Sequence, residues 1–302
     1  MPDAARGFAL ARSLTARAGR TYYLASTLLP VRRRRAVHAL YGFARIVDDV
    51  VDRPSGSGGL PAADRLNQLE SGLAASLAET ALPRGLSSDD QDLLAALAVS
   101  VHEHSIPVET FGRFLTSMRM DVPGTPVSRN RYRTLDELSE YTNGSAAAIG
   151  LQLVPVLGAD PDLTAGAALL GEAFQLTNFI RDVAEDLRRD RIYLPLDELA
   201  PFGVDEATLR SDLLRGRTSP PLRAALKHLI AVNRDQYRRT TASIAALPPL
   251  SRPAISAATR SYSDILRAVE RADLDVMGGR AVVPATTRIG HAAVSLVSPP
   301  RF

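Results

Sequence analysis

Cysteine is missing from all 302 residues of the chain, which removes disulfide frameworks, thiolate metal sites and cysteine nucleophiles from consideration. A reducing compartment is compatible with that composition but not required by it. No apolar run approaches the ~18–20 residues of a membrane span, and the longest, near the C-terminus, is broken by His291 and Ser295. The arginine-bearing N-terminus carries no apolar signal core, so the expectation is a cytoplasmic protein, with association at a membrane surface left open. Strand-like alternation, internal repeats and low-complexity tails are also absent. Lysine is scarce beside arginine, and the net charge is only +3. So thin an excess is weak support for nucleic acid, which is not expected as a partner, and it suits a diphosphate or an anionic membrane surface equally.

What is present is ordinary globular material, 45% apolar and 23% charged, long enough for one large core. A single helical domain over residues 1–302 is expected. Its most informative stretch is 174–194, FQLTNFIRDVAEDLRRDRIYL, where Asn178, Asp182 and Asp186 stand four residues apart. On a helix that spacing stacks the three side chains along one stripe. Counting back reaches Phe174 and Leu170, apolar residues of a buried face, so the acids are expected to point inward or at a cavity. A second helix over 36–52 repeats the anomaly: Val37, Leu40, Tyr41, Ala44, Asp48 and Val51 recur at the helical period, and Asp52 follows Asp48 by four.

Around these stripes the remaining chain reads as helix and loop. Arg32 to Arg35 mark a solvated helix start, with an anionic surface as the other reading. Residues 54–61, PSGSGGLP, form a loop that could close over a site. Ser88 with Gln91 reads as a capping box, and His102 and His104 as structural or solvent-facing. Thr134 with Glu137 opens a helix running to about Gly158. Within it, Gly144 to Gly150 replaces bulky side chains by a thin surface, suited to close helix packing or to a groove for an apolar ligand. Ser219 before Pro220 starts the first of two helices divided near Pro248 and Pro249, which reach about Val276.

Unpaired carboxylates on an apolar stripe cost several kcal/mol each, so both helices call for cations, and facing helices can share a metal site. Oxygen donors without His or Cys favour Mg²⁺, with Mn²⁺ the other candidate; Mg²⁺ keeps waters and completes its shell with phosphate oxygens. Arg45, Arg181, Arg188, Arg189 and Arg191 lie close to the acids in sequence and supply what a diphosphate needs besides metal. With an apolar cavity beyond, the set points to metal-assisted ionisation of an allylic diphosphate. The resulting carbocation needs dry walls and aromatic faces, for which Tyr41, Tyr141, Phe174 and Tyr193 are candidates.

These residues resemble the squalene/phytoene synthase family, the head-to-head prenyl synthases, over about residues 20–284. The resemblance is carried by LPVRRRRAVHALYGFARIVDDVVD (29–52), YTNGSAAAIGLQLVPVLG (141–158), FQLTNFIRDVAEDLRRDRIYLPLDEL (174–199) and YSDILRAVERADLDVMGGRAVVP (262–284). It implies an all-α isoprenoid (terpenoid) synthase fold, a helical bundle around a central cavity. Asp48 and Asp52 would face Asn178, Asp182 and Asp186 across Mg²⁺ and diphosphate. Thr21, Arg45, Tyr141, Tyr193, Tyr262 and Arg280 match positions that hold or orient diphosphate, and Gln175 a cavity-wall position; Arg20 joins them on charge and place.

The reaction so implied couples two allylic diphosphates through a cyclopropylcarbinyl diphosphate. Proton loss then gives phytoene, whereas hydride from NADPH would give squalene. The wording favours geranylgeranyl diphosphate and the proton-loss route, so NADPH is not expected; the absence of a GxGxxG fingerprint decides little, since the family does not bind NADPH through one. The segment from Asn143 to Gly150 departs from the family pattern and alters the cavity wall, leaving substrate length and product open. Transfer of a short prenyl group to an aromatic acceptor, presqualene or squalene synthesis, and a non-catalytic helical module on membranes or partner proteins are the other readings.

Overall fold

The computed structural model describes residues 2–52, 60–296 and 298. The loop expected directly after Asp52 falls mainly on 53–59 and lies outside the described residues. Every named element among the described residues is helical, and the sole strand-like feature is an isolated bridge between Arg131 and Ile192.

The chain order is α1 (Ala4–Ala18), α2 (Arg20–Ser26), α3 (Val31–Asp52), α4 (Ala62–Leu77), α5 (Ser88–His104), α6 (Glu109–Met120), α7 (Leu135–Thr142), α8 (Ala148–Val156), α9 (Thr164–Arg188), α10 (Leu196–Leu199), α11 (Glu206–Arg215), α12 (Pro220–Ala246), α13 (Arg252–Arg271) and α14 (Ala285–Ser295). Two helices organise the rest. α3 packs on α1, α4, α5, α6 and α8, while α9 packs on α8, α12 and α13. α3 and α9 have no extensive packing on one another; a cavity of about 300 Å³ separates them.

The sequence explains that separation. Along α3 the side chains of Val37, Leu40, Tyr41, Ala44, Arg45 and Asp48 line the cavity, and along α9 so do Gly166, Ala167, Leu170, Gly171, Phe174 and Gln175. Both stripes follow the helical period and turn from apolar to polar toward the C-terminal end. Both helices therefore place acids where the helix dipole is already negative, an arrangement that demands nearby cations.

The third wall is α8 and the turn before it. The helix expected to run unbroken from Thr134 to about Gly158 is interrupted by a π turn, Asn143–Ala147, and ends at Val156. Small residues there permit very close approaches. A Cβ on Gly150 would lie 2.3 Å from the Ala167 carbonyl oxygen, and one on Gly171 would lie 2.4 Å from that of Ala146. Both readings of the thin surface hold together, since it packs tightly on α9 while Ser145, Ala146, Ile149 and Gly150 line the cavity.

Several boundaries differ by a residue or so. The capping box of α5 is Ser87 with Asp90, one residue ahead of the Ser88 and Gln91 expected, because Asp90 reaches back to the Ser87 backbone. Thr134 caps α7 through the Glu137 amide, but the Glu137 carboxylate accepts from Arg133 rather than completing the box. The basic run at the start of α3 is largely spent within the fold: Arg32 pairs with Glu103, Arg33 donates to Ser251 at 2.7 Å and Arg35 lies over the Phe8 ring. His102 meets the Leu77 carbonyl at 3.2 Å, in keeping with a structural role.

Candidate active site

The acids of α3 and α9 meet through arginines. Arg189 and Arg191, just past the acidic stripe of α9, reach across to Asp52 on α3 at 3.0 and 2.8 Å. Arg45 pairs with Asp48 at 2.9 Å and also with Asp49. Asp182 is held by Arg181 at 2.5 Å and by Arg280, from the segment before α14, at 2.8 Å. The arginines thus join the C-terminal ends of α3 and α9, and of the four expected acids Asp48 is the one that lines the cavity.

Asp48 lines the cavity, with 47% of its side chain exposed. Burial and the neighbouring Asp52 push its carboxyl up to about 6 against the pull of Arg45. Asp186 goes well above the usual carboxylate range through burial and the charge of Asp182. Burial acts in the same sense on Asp182, but Arg181 and Arg280 outweigh it and hold that carboxyl low. Burial thus dominates at Asp186, whereas two arginines outweigh it at Asp182 one turn away.

Among the described residues no three carboxylate or imidazole groups converge as a ready-made metal cage. The donors nonetheless suit a hard cation shared with phosphate oxygens. Asn178 Oδ1 is buried with no hydrogen-bond partner, one turn from Asp182, which is itself one turn from the buried carboxyl of Asp186. A cation fits that oxygen-only set, since Mg²⁺ needs only one or two carboxylates when phosphate is present.

The aromatic candidates divide into two groups. Tyr22, Tyr41, Phe174 and Tyr262 cluster at the wall near the acids, with Phe174 stacked on Tyr262 at 4.3 Å between ring centroids. Burial pushes the Tyr41 phenol up to about 12, so it stays protonated. Gly19 makes room for this ring, because a Cβ there would sit 2.5 Å from it. Tyr141 and Tyr193 form the second group with Tyr132 and Phe179. Tyr141 lines the cavity, yet its hydroxyl and that of Tyr193 both donate to Asp121, at 2.6 and 2.7 Å.

Asp121 was not legible in the sequence. It sits at the C-cap of α6, buried, and burial raises its carboxyl although Arg191 lies 3.9 Å away. It joins the aromatic wall to the arginine that holds Asp52. A second unforeseen set, Thr177, Asn233 and Tyr237, ties α9 to α12 at 2.6 and 2.7 Å behind Phe174. Of the remaining candidates, Gln175 lines the cavity, Thr21 is half-buried in α2, and Arg20 is exposed at its start.

Residues 15–287 match the family model described as squalene/phytoene synthase. The chain is 35% identical over 291 residues to phytoene synthase of Arthrospira platensis, covering 92% of this chain and 88% of that one. It is 32% identical over 303 residues to 15-cis-phytoene synthase of Synechococcus elongatus, covering 95% and 91%. Among solved structures, a ligand complex of a dehydrosqualene synthase superposes with a TM-score of 0.83 at 25% identity, over 97% of this chain and 96% of that one.

Proposed function

The chain belongs to the squalene/phytoene synthase family and is a prenyltransferase, and from that premise we propose that it joins two molecules of geranylgeranyl diphosphate head to head to give phytoene. The observation that carries the reading is the cavity between α3 and α9, lined mainly by apolar side chains with Arg45 and Asp48 among them, together with the Arg189 and Arg191 contacts to Asp52 that join the C-terminal ends of the same two helices. That is the complement of a prenyl diphosphate, whose tail is uncharged and whose leaving group is a polyanion.

Asp48, Asp52, Asn178, Asp182 and Asp186 would hold Mg²⁺, which supplies electrostatic stabilisation of the departing diphosphate. Arg45, Arg181, Arg189 and Arg280, now paired with carboxylates, would transfer part of that pairing to phosphate oxygens. The C1–O bond of the first substrate breaks, and diphosphate leaves with the electron pair. The C2–C3 double bond of the second attacks the allylic cation, and proton loss closes a cyclopropane bearing the remaining diphosphate. Its departure, rearrangement and loss of a second proton yield phytoene without reductant. Tyr41 and Phe174, both on the cavity wall, present aromatic surface to positive charge, while the wall from Ala146 to Leu157 keeps water out.

Purified protein with Mg²⁺ and geranylgeranyl diphosphate should release two diphosphates per phytoene. No diphosphate release from any allylic diphosphate would end the proposal. One feature favours a second reading: Ser145 Oγ is buried on the cavity wall without a hydrogen-bond partner, and hydrocarbon tails leave it so. An aromatic acceptor carrying an N–H or O–H would satisfy it. Dimethylallyl diphosphate with such an acceptor, giving prenylated product and no head-to-head product, would decide for that reading.

A further inference from the structure

The wall that α3 gives to the cavity begins at Val37 and ends at Asp48. One turn before Val37, on the same stripe, stands the half-buried Arg33. Its Nη1 donates to Ser251 Oγ at 2.7 Å, and that hydroxyl donates in turn to the Leu157 carbonyl at 2.7 Å. Arg33 belongs to α3, Leu157 caps the C-terminus of α8 and Ser251 opens α13, so two hydrogen bonds in series fasten three elements. Each element adjoins the cavity at that point: Leu157 itself lines it, as does Ile255, one turn into α13 from Ser251.

Local structure gives way to this clasp at two places. Ser251 occupies the N-cap of α13 and is 0% exposed, yet its hydroxyl caps no amide of that helix, the use a serine ordinarily has there. Gly158, just past α8, has a φ of +63°, and a Cβ on it would lie 2.4 Å from Arg33 Nη2. The glycine thus supplies both the left-handed turn and the room in which the guanidinium lies.

We propose that Arg33 and Ser251 set the length of prenyl chain the cavity admits, by fastening α3, α8 and α13 where the tail ends. This role rests on the function proposed above, which puts diphosphate at the Asp48 end of the α3 wall. From Asp48 back to Arg33 an α-helix rises roughly 22 Å, comparable to an extended tail of four isoprene units. A longer tail has to press Val37, Leu157 and Ile255 outward against the clasp. Breaking it leaves the buried Ser251 hydroxyl and the Leu157 carbonyl unpaired, a cost that falls only on chains too long for the cavity.

Calorimetric binding of thiolodiphosphate analogues, in which sulfur replaces the ester oxygen and suppresses ionisation, reads chain length without turnover. With Mg²⁺ present, the wild-type chain is expected to bind the geranylgeranyl analogue at least tenfold more tightly than the geranylfarnesyl analogue, one isoprene unit longer. Arg33→Met keeps the alkyl stem and removes the donors, while Ser251→Ala removes the hydroxyl without taking a cap from α13. Each should erase most of that preference and leave geranylgeranyl affinity nearly unchanged. Arg35→Met, in the same basic run but over the Phe8 ring, should keep the preference. Where Ser251→Ala costs the fold by circular dichroism, Arg33→Met decides. The role is overturned if Arg33→Met keeps the wild-type preference, or weakens both analogues alike as a merely structural tie would. It is overturned together with the proposed function if the wild-type chain binds neither analogue, whereas tight wild-type binding with an unchanged preference in Arg33→Met overturns the clasp alone.

Discussion

At the scale of single residues, the acids were legible because a carboxylate on an apolar stripe violates the pattern around it, and two such stripes ask for one shared answer. Asp121 gave no such signal. It stands alone between a helix end and a Pro-Gly loop, and only folding brings Tyr141, Tyr193 and Arg191 to it. Replacing it by Asn should leave diphosphate affinity nearly intact while lowering turnover, because the Tyr141 ring loses its anchor rather than the metal its ligands. The change should also cost about 1–3 kcal/mol in urea unfolding, the usual range for a disrupted buried polar contact. An unchanged turnover number would assign Asp121 to packing alone.

Asp48 makes a pH prediction at the same scale. Its carboxyl is raised to about 6, first by burial and then by Asp52. A raised carboxyl contributes stability in its protonated form; that contribution is full below the ordinary carboxylate range near 4 and is lost as pH rises through about 6. Asp48→Asn should therefore be more stable than wild type above pH 6, with the difference closing by pH 4. Activity should move the opposite way, since metal binding requires the carboxylate. Mg²⁺ affinity of the metal-free protein should fall as pH drops through about 6, and an affinity flat from pH 8 to 5 would contradict the assignment.

At the scale of elements, the long helices that carry the site followed from period and caps, whereas α1 and α11 were not foreseen and several ends moved. The start of α5 moved one residue because Asp, like Glu or Gln, can reach back to a capping serine. The π turn at Asn143–Ala147 had no signal beyond its small residues, since periodicity cannot distinguish a continuous helix from one with an extra residue in a turn. α14 was missed altogether: its small residues lack the alternation of a core-facing helix. The close contacts of α9 are testable. Gly171→Ala would drive a Cβ to 2.4 Å from the Ala146 carbonyl oxygen, backbone that cannot rotate away. It should destabilise by about 1–3 kcal/mol in denaturant unfolding and push the cavity wall inward, shortening the prenyl chains accepted. Wild-type stability in that variant would show that α8 and α9 can separate freely.

At the scale of the whole molecule, the resemblance read over about 20–284 agrees with the family match over 15–287, and the expected all-α bundle around a central cavity is the architecture found. What no local pattern carried is that α3 and α9 stand apart with their acidic ends together, because that depends on α8, α12 and α13 holding the walls. The account rests on those paired ends acting as one centre. The most direct measurement is diphosphate release from geranylgeranyl diphosphate by Asp52→Asn and Asp182→Asn, one from each helix, at saturating Mg²⁺. Each change should lower release by about 100-fold or more, the range for removing one preorganised electrostatic contact, and the double variant should lose little beyond either alone. Wild-type release from either variant, or losses that simply multiply, would contradict a single shared centre.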